Sequence, residues 1–259
     1  MSSPILPLPR RVAKDLPLTR LLPNMLTLMS LCSGLTGIRY SLQDKWHEAV
    51  LAIVIAAAFD VLDGRVARML NIASKFGAEL DSLSDAISFG VAPGFIMYEW
   101  AMKSNDNFGW IAVLVYAVCT ALRLVRFNTM LEDTTIPTWA KSYFNGVPAP
   151  AGAGLVLLPL MLVLAYGEDV RPLSSLLAIW MIIVGGLMVS RLPTFALKGW
   201  RVAPIWVAPI FVVVALFVSA LISYTWLALS GASVTYLLSI PCAYYCYVRR
   251  AKQEGTQDV

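Results

Sequence analysis

Four aspartates sit where an apolar chain ought to reject them. Asp60 and Asp63 lie toward the end of one long apolar run, in Phe59-Asp60-Val61-Leu62-Asp63-Gly64-Arg65-Val66-Ala67-Arg68, and Asp81 and Asp85 lie at the start of the next. A carboxylate at the centre of a membrane-spanning helix costs about 2.5–3.5 kcal/mol even on the gentler insertion scales, so four uncompensated ones would cost on the order of 10 kcal/mol. An ordinary domain is stable by only about 5–15 kcal/mol in total. Something must compensate these acids.

Their spacing shows what could do so. At about 100° per residue, Asp63, Gly64, Ala67 and Arg68 stand at roughly 300°, 40°, 340° and 80° from Asp60, on one face of a helix. Gly77, Asp81 and Asp85 are four apart and line one face of the next helix. The short connection Leu70–Phe76 predicts antiparallel neighbours whose carboxylates converge near one end. Carboxylates that close need protons or cations between them. An all-oxygen cluster lacking Cys and His suits a hard divalent cation, Mg²⁺, Mn²⁺ or Ca²⁺. Gly64 and Gly77 leave room for a close backbone or a bulky ligand, and Arg68 offers a planar donor fork to phosphate oxygens. A lone Asp–Arg pair near a helix end would be a snorkelled structural pair. Four acids in phase with two glycines and an arginine predict a divalent-metal site beside a phosphate site.

The elements that must hold these residues are membrane helices. Of 259 residues, 58% are apolar or aromatic and 14% charged, with a mean hydropathy of +0.70; soluble domains run at about 45–50% and about 25%. A water-soluble monomer is excluded. Eight runs are long and apolar enough to span a bilayer as helices: Asn24–Leu42, His47–Met69, Gly77–Met102, Phe108–Met130, Ala149–Tyr166, Pro172–Ser190, Pro204–Ile222 and Thr225–Tyr247. Pro159 in the fifth run and the narrow gap between the last two set a range of six to eight spans in an all-α bundle.

With eight spans and the N-terminus inside, 16 of the 20 Lys and Arg fall on the cytoplasmic side, leaving Arg39, Lys45, Lys103 and Arg171 outside. This asymmetry orients the chain with both termini cytoplasmic. The net charge of +4 is thus a topology signal; no basic stripe interleaved with exposed aromatics suggests nucleic acid. Residues 1–23 form a cytoplasmic segment, and Arg10–Leu22 suits either an interfacial stretch on anionic headgroups or a topogenic tail. Residues 24–155 form the expected catalytic core, 156–248 further spans and 249–259 a polar tail. Cys32, Cys119, Cys242 and Cys246 fall inside spans and the sole histidine, His47, in an outer turn, which gives no support to a disulfide scaffold, a zinc site or Ser-His-Asp chemistry.

The pattern Asp60-x-x-Asp63-Gly64-x-x-Ala67-Arg68, eight residues, then Gly77-x-x-x-Asp81-x-x-x-Asp85 resembles the signature of the CDP-alcohol phosphotransferases. Further stretches are similar to its bacterial-type serine O-phosphatidyltransferase branch: Pro23-Asn24-Met25-Leu26-Thr27, Leu80–Asp85 running into Ser88-Phe89-Gly90-Val91-Ala92-Pro93, Arg123-Leu124-Val125-Arg126-Phe127-Asn128, and Gly146-Val147-Pro148-Ala149-Pro150. The resemblance implies that Asp60, Asp63, Asp81 and Asp85 hold two Mg²⁺ or Mn²⁺ ions and that Gly64, Ala67, Arg68 and Gly77 surround the CDP moiety. It also implies that Asn24 and Thr27 lie near the nucleotide, and that Asp85 is the general base. The chemistry alone requires a loosely held carboxylate near the acceptor hydroxyl and does not choose among the four.

The implied substrates are CDP-diacylglycerol, with its acyl chains in the bilayer, and L-serine from the cytosol of a bacterial cell, so the site should face the cytosol from the cytoplasmic membrane. For the carboxylate of serine the nearest candidates are Arg123 and Arg126, with Asn128 as a polar supplement; anchoring at the interface explains the two arginines equally well. Lys141, Arg191 and Lys198 read as anchors. The alternatives are a phosphorylated acceptor (glycerol 3-phosphate or inositol phosphate), which should need a denser basic pocket, and a divalent cation transporter, which should show inverted repeats and mid-membrane helix breaks. Homodimers are common in the family, and Ser33, Gly34 and Gly37, or Gly152 and Gly154, offer faces for close helix approach.

Overall fold

The computed structural model describes residues 21–70, 74–103, 106–131, 143–167, 173–195 and 206–254. The stretch Arg10–Leu22, apart from its last two residues, Lys141 and Lys198 lie outside them. Helices form over each of the eight apolar runs. They are α1 (Leu22–Ser41), α2 (Trp46–Met69), a rod from Lys75 to Met102, α5 (Asp106–Leu131), α6 (Ala149–Tyr166), α7 (Ser174–Val189), α8 (Val207–Ser223) and α9 (Thr225–Glu254). The rod consists of α3 (Lys75–Asp85), a π-helical stretch (Ala86–Val91), α4 (Ala92–Met97) and a second π stretch (Tyr98–Met102). Within α5, α6 and α9, the segments Asn107–Thr129, Ala149–Tyr166 and Thr225–Arg249 are long and apolar enough to cross a membrane, and α7 and α8 are shorter apolar helices. The chain is an all-α integral membrane protein. Among the described residues the other regular element is a two-stranded antiparallel ladder, β1 (Tyr143–Asn145) with β2 (Pro193–Phe195), in register Phe144 to Thr194.

α1 is apolar on the wrong side for a soluble helix. Its buried face is Pro23, Thr27, Ser30, Gly34, Gly37 and Ser41, while Met25, Leu28, Met29 and Leu35 point outward. Where lipid is as apolar as leucine, burying leucine gains nothing, and helices associate through small residues and hydrogen bonds instead. Ser30 donates to the Ala56 carbonyl on α2 at 3.0 Å, and Ser84 and Ser88 donate to the Thr27 and Ser30 carbonyls at 3.1 and 3.2 Å. A Cβ on Gly34 would stand 2.7 Å from the Ser88 Cα, and one on Gly37 3.2 Å from the Ala49 carbonyl oxygen. Gly152 likewise packs on Met188 and Gly154 faces Ser233. The glycines expected to form a dimer face are therefore occupied within the chain, because α1 must approach both α2 and the rod.

The same close approach changes the expected neighbours. α1 packs along α2 and also against α3, the π stretch and α4, so α2 and α3 meet chiefly through α1 instead of backbone to backbone. A wedge opens between them. Farther along the rod, Pro93 has no N–H for the Phe89 carbonyl four residues back, and Tyr116 on α5 donates to that carbonyl at 2.8 Å. Gly90 against Thr120 and Gly94 against Val113 and Tyr116 let α5 come this close. The π stretch thus begins at the residue after Asp85 and is held by α1 on one side and α5 on the other.

Candidate active site

The wedge between α2 and α3 contains the acids. Asp60, Asp63 and Asp81 each present an oxygen, and these three atoms lie within 4.8 Å of one another. Asp85, one helical turn beyond Asp81, lies beside Asp60. Two carboxylates in such contact need a proton or a cation between them. Asp63 and Asp85 are only 6% and 8% exposed, and Asp85 Oδ1 is buried with no hydrogen-bond partner among the described residues. An orphaned buried carboxylate oxygen beside a triad of others is the donor set a hard divalent cation would satisfy. The residues fit a Mg²⁺ or Mn²⁺ site.

α1 buttresses the cluster. The Thr27 hydroxyl, within reach of the Pro23 carbonyl at 3.1 Å, is closer to Asp63 Oδ2, at 2.6 Å. A hydroxyl has one proton, so the bond to the carboxylate competes with the ordinary back-bond to the preceding turn and fixes one Asp63 oxygen. α3 opens with Ser74 as its cap, accepting from the Gly77 N–H at 3.0 Å. A serine immediately before a helical period is a start signal that sequence reading can find.

Beside the acids lies a cavity of about 160 Å³ lined by Pro23, Asn24 and Thr27 of α1, Asp63, Gly64 and Ala67 of α2, and Ser74, Gly77, Ala78 and Asp81 of the α3 end. Five of the six residues expected around a nucleotide therefore share one cavity wall. Arg68 is exposed at the rim and its Nη2 lies 3.9 Å from where a Gly64 Cβ would stand. Among the described residues nothing else outside the backbone of α2 comes within 4 Å of that point, so the missing side chain of Gly64 leaves open space and serves no contact with another described helix. At Gly77 a Cβ would come 3.1 Å from both Asn24 Oδ1 and Ser74 Oγ. Pro23, Ser74 and Ala78 were not singled out in the sequence.

The three candidates on α5 separate. Arg126 Nη1 donates to the Val189 and Ser190 carbonyls at 2.9 and 3.3 Å, closing the open C-terminus of α7. Asn128 Nδ2 donates to Ser82 Oγ at 2.8 Å and braces α5 on α3. Arg123 lies over the Phe127 ring, 5.4 Å from its centroid, and within electrostatic reach of Asp60 and Asp85. Residues three apart on one helix point in directions about 60° from each other, enough for one to meet the acids and the other a helix end.

Carboxylates on two helices, a glycine-lined cavity beside them and an arginine within electrostatic reach of the acids form an arrangement that could hold a charged, metal-bound ligand. The sequence profile of the CDP-alcohol phosphatidyltransferase family matches residues 20–189, which contain all of it. The chain belongs to that family. A second profile, CDP-alcohol phosphatidyltransferase 2, matches residues 205–241, across α8 and the first half of α9. Among curated proteins the chain is 40% identical over 226 residues to a CDP-diacylglycerol–serine O-phosphatidyltransferase of Mycobacterium leprae, covering 87% of this chain and 75% of that protein. Proteins of the same name from Helicobacter pylori and Methanocaldococcus jannaschii are 34% and 35% identical, over 77% and 64% of this chain and 80% and 70% of theirs.

Proposed function

We propose that this protein transfers the phosphatidyl group of CDP-diacylglycerol to the hydroxyl of L-serine, forming phosphatidylserine and CMP. The observation that carries the reading is the convergence of Asp60, Asp63 and Asp81 beside the cavity of Gly64, Ala67 and Gly77. The names of the relatives supply the acceptor, serine.

In this reading the four aspartates hold two Mg²⁺ or Mn²⁺ ions, which supply Lewis-acid compensation for charge on the pyrophosphate and the departing CMP. The cavity walls receive the cytidine end, with Asn24, Gly64, Ala67 and Gly77 around it, Thr27 steadying Asp63, and Arg68 reaching phosphate oxygens from the rim. The serine oxygen attacks the β-phosphorus, its proton passes to Asp85, and the bond from that phosphorus to the CMP oxygen breaks. Asp85 suits the base because it lies one turn beyond Asp81 and outside the tight cluster of Asp60, Asp63 and Asp81, and an aliphatic alcohol needs its proton removed as the new bond forms. Arg123 receives the serine carboxylate with a planar fork, whereas the bonds of Arg126 and Asn128 hold α5 in place. The cationic ends of the helices orient the site toward the cytosol of a bacterial cell, with eight spans in the cytoplasmic membrane and both termini inside.

An acceptor panel tests the reading: radiolabelled L-serine, glycerol 3-phosphate and inositol phosphate are each offered to purified protein with CDP-diacylglycerol and Mn²⁺ or Mg²⁺. Label from serine alone should enter chloroform-soluble lipid, with stoichiometric CMP. Incorporation of a phosphorylated alcohol in place of serine would refute the acceptor, and no metal-dependent CMP release with any alcohol would refute the transfer.

A further inference from the structure

The C-terminal helix brings to this site a polar side chain that the signature motifs do not contain. Tyr236 of α9 has its hydroxyl buried and, among the described residues, without a hydrogen-bond partner. Leaving such a group unpaired is costly, so its neighbours matter. α9 packs on β2, where Thr194 is buried beside the Tyr236 hydroxyl. The Thr194 proton is already committed, donated to the Gly146 carbonyl at 2.9 Å. Gly146 is itself fixed: its N–H donates to the Leu192 carbonyl at 2.8 Å, and its φ of +82° is one that few other residues adopt. Thr194 can therefore accept a hydrogen bond but has none left to give. The cation whose charge reaches the Tyr236 hydroxyl is the Arg123 guanidinium, a group of five donors and no acceptor, which is also within electrostatic reach of Asp60 and Asp85.

Donors and acceptors can be matched in one direction only. We propose that Tyr236 is a positioning residue: Arg123 donates to the Tyr236 oxygen, Tyr236 to Thr194 and Thr194 to the Gly146 carbonyl, so that α9 and the β ladder hold the guanidinium toward the carboxylates. The chain of bonds ends on rigid backbone, and each bond polarises the next. The inference rests on the reading that Arg123 receives the acceptor's carboxylate, and extends it by giving the region beyond residue 189 a part in acceptor binding.

A double-mutant cycle on the full-length protein tests it. Y236F should raise the KM for serine about five- to tenfold, the scale of one ordinary hydrogen bond, and leave the KM for CDP-diacylglycerol unchanged. R123A should raise it further, and R123A/Y236F should match R123A within about twofold, because Tyr236 acts only through Arg123. Multiplying effects, an unchanged serine KM in Y236F, or equal shifts in both KM values would overturn the proposal. Should Y236F not fold, 3-fluorotyrosine at position 236 keeps the hydroxyl; its ¹⁹F resonance should move between the wild-type and R123A backgrounds, and a resonance that ignores Arg123 overturns the proposal equally. If the wild-type protein uses a different alcohol, the serine reading fails, while the cycle, run on the KM of that alcohol, still decides the role of Tyr236.

Discussion

Gly64→Ala separates room for a ligand from room for packing. Among the described residues a Cβ there would meet only Arg68 Nη2, at 3.9 Å, an ordinary contact with the end of a flexible side chain. Gly64 lies inside α2, five residues before its end, and exchanging an interior helical glycine for alanine gains about 0.5–1 kcal/mol through the unfolded chain. The variant should therefore be as stable as the parent or more so. The new methyl, however, points into the cavity of about 160 Å³ beside Asp63. A nucleotide seated against the bare backbone must retreat by about a methyl's width, and displacements near 1 Å cost on the order of 100-fold in rate. Thermal unfolding in detergent together with CMP release across a CDP-diacylglycerol titration measures both quantities. The expected result is an unchanged or raised melting temperature with kcat/KM for CDP-diacylglycerol lowered about 100-fold. A stable G64A with parental kcat/KM would refute the assignment of this cavity to the nucleotide. A G64A that unfolds would refute the claim that the space beside Gly64 is open.

Thr27→Val keeps the shape and removes the 2.6 Å bond to Asp63; partners of metal ligands typically contribute 10–100-fold in affinity, so the Mn²⁺ concentration for half-maximal activity should rise by about tenfold or more. Asp85→Asn preserves volume and removes the proposed proton acceptor. Turnover should fall about 10²–10⁴-fold with the fold retained by thermal unfolding, and normal turnover would remove Asp85 from that role. Arg126→Ala deletes the bonds to the Val189 and Ser190 carbonyls; it should cost about 1–3 kcal/mol of stability while the KM for serine stays within about twofold of the parent, the reverse of the pattern expected for Arg123→Ala.

Much of the site was legible because its parts are local. The four aspartates, Gly64, Ala67 and Gly77 fall in phase by helical period alone, and that period depends on nothing outside each helix. The apolar runs likewise located the helices, since in hydrocarbon each segment must satisfy its own backbone. The helix hidden between the acidic ones was harder to see. α1 carries no acid in its first turn and reads as an ordinary apolar span, yet its small, polar face of Thr27, Ser30, Gly34 and Gly37 packs on both α2 and the rod.

What the sequence determined by itself is the class of the protein, the helical faces that carry the acids and the chemistry those faces can perform. The tertiary structure decided that α1 packs against both α2 and α3, so that the three helices wall one cavity beside the acids. It also decided that Arg123 comes within electrostatic reach of the carboxylates while Arg126 bonds the end of α7, and that Tyr236, more than 100 residues along the chain, lies within reach of Arg123. The division has a physical cause. The phase of residues within a helix follows from the 3.6-residue turn, but the rotation of that helix against its neighbours is set by contacts between distant residues, here small side chains, Pro93 with Tyr116, and the bonds that tie α5 to α7.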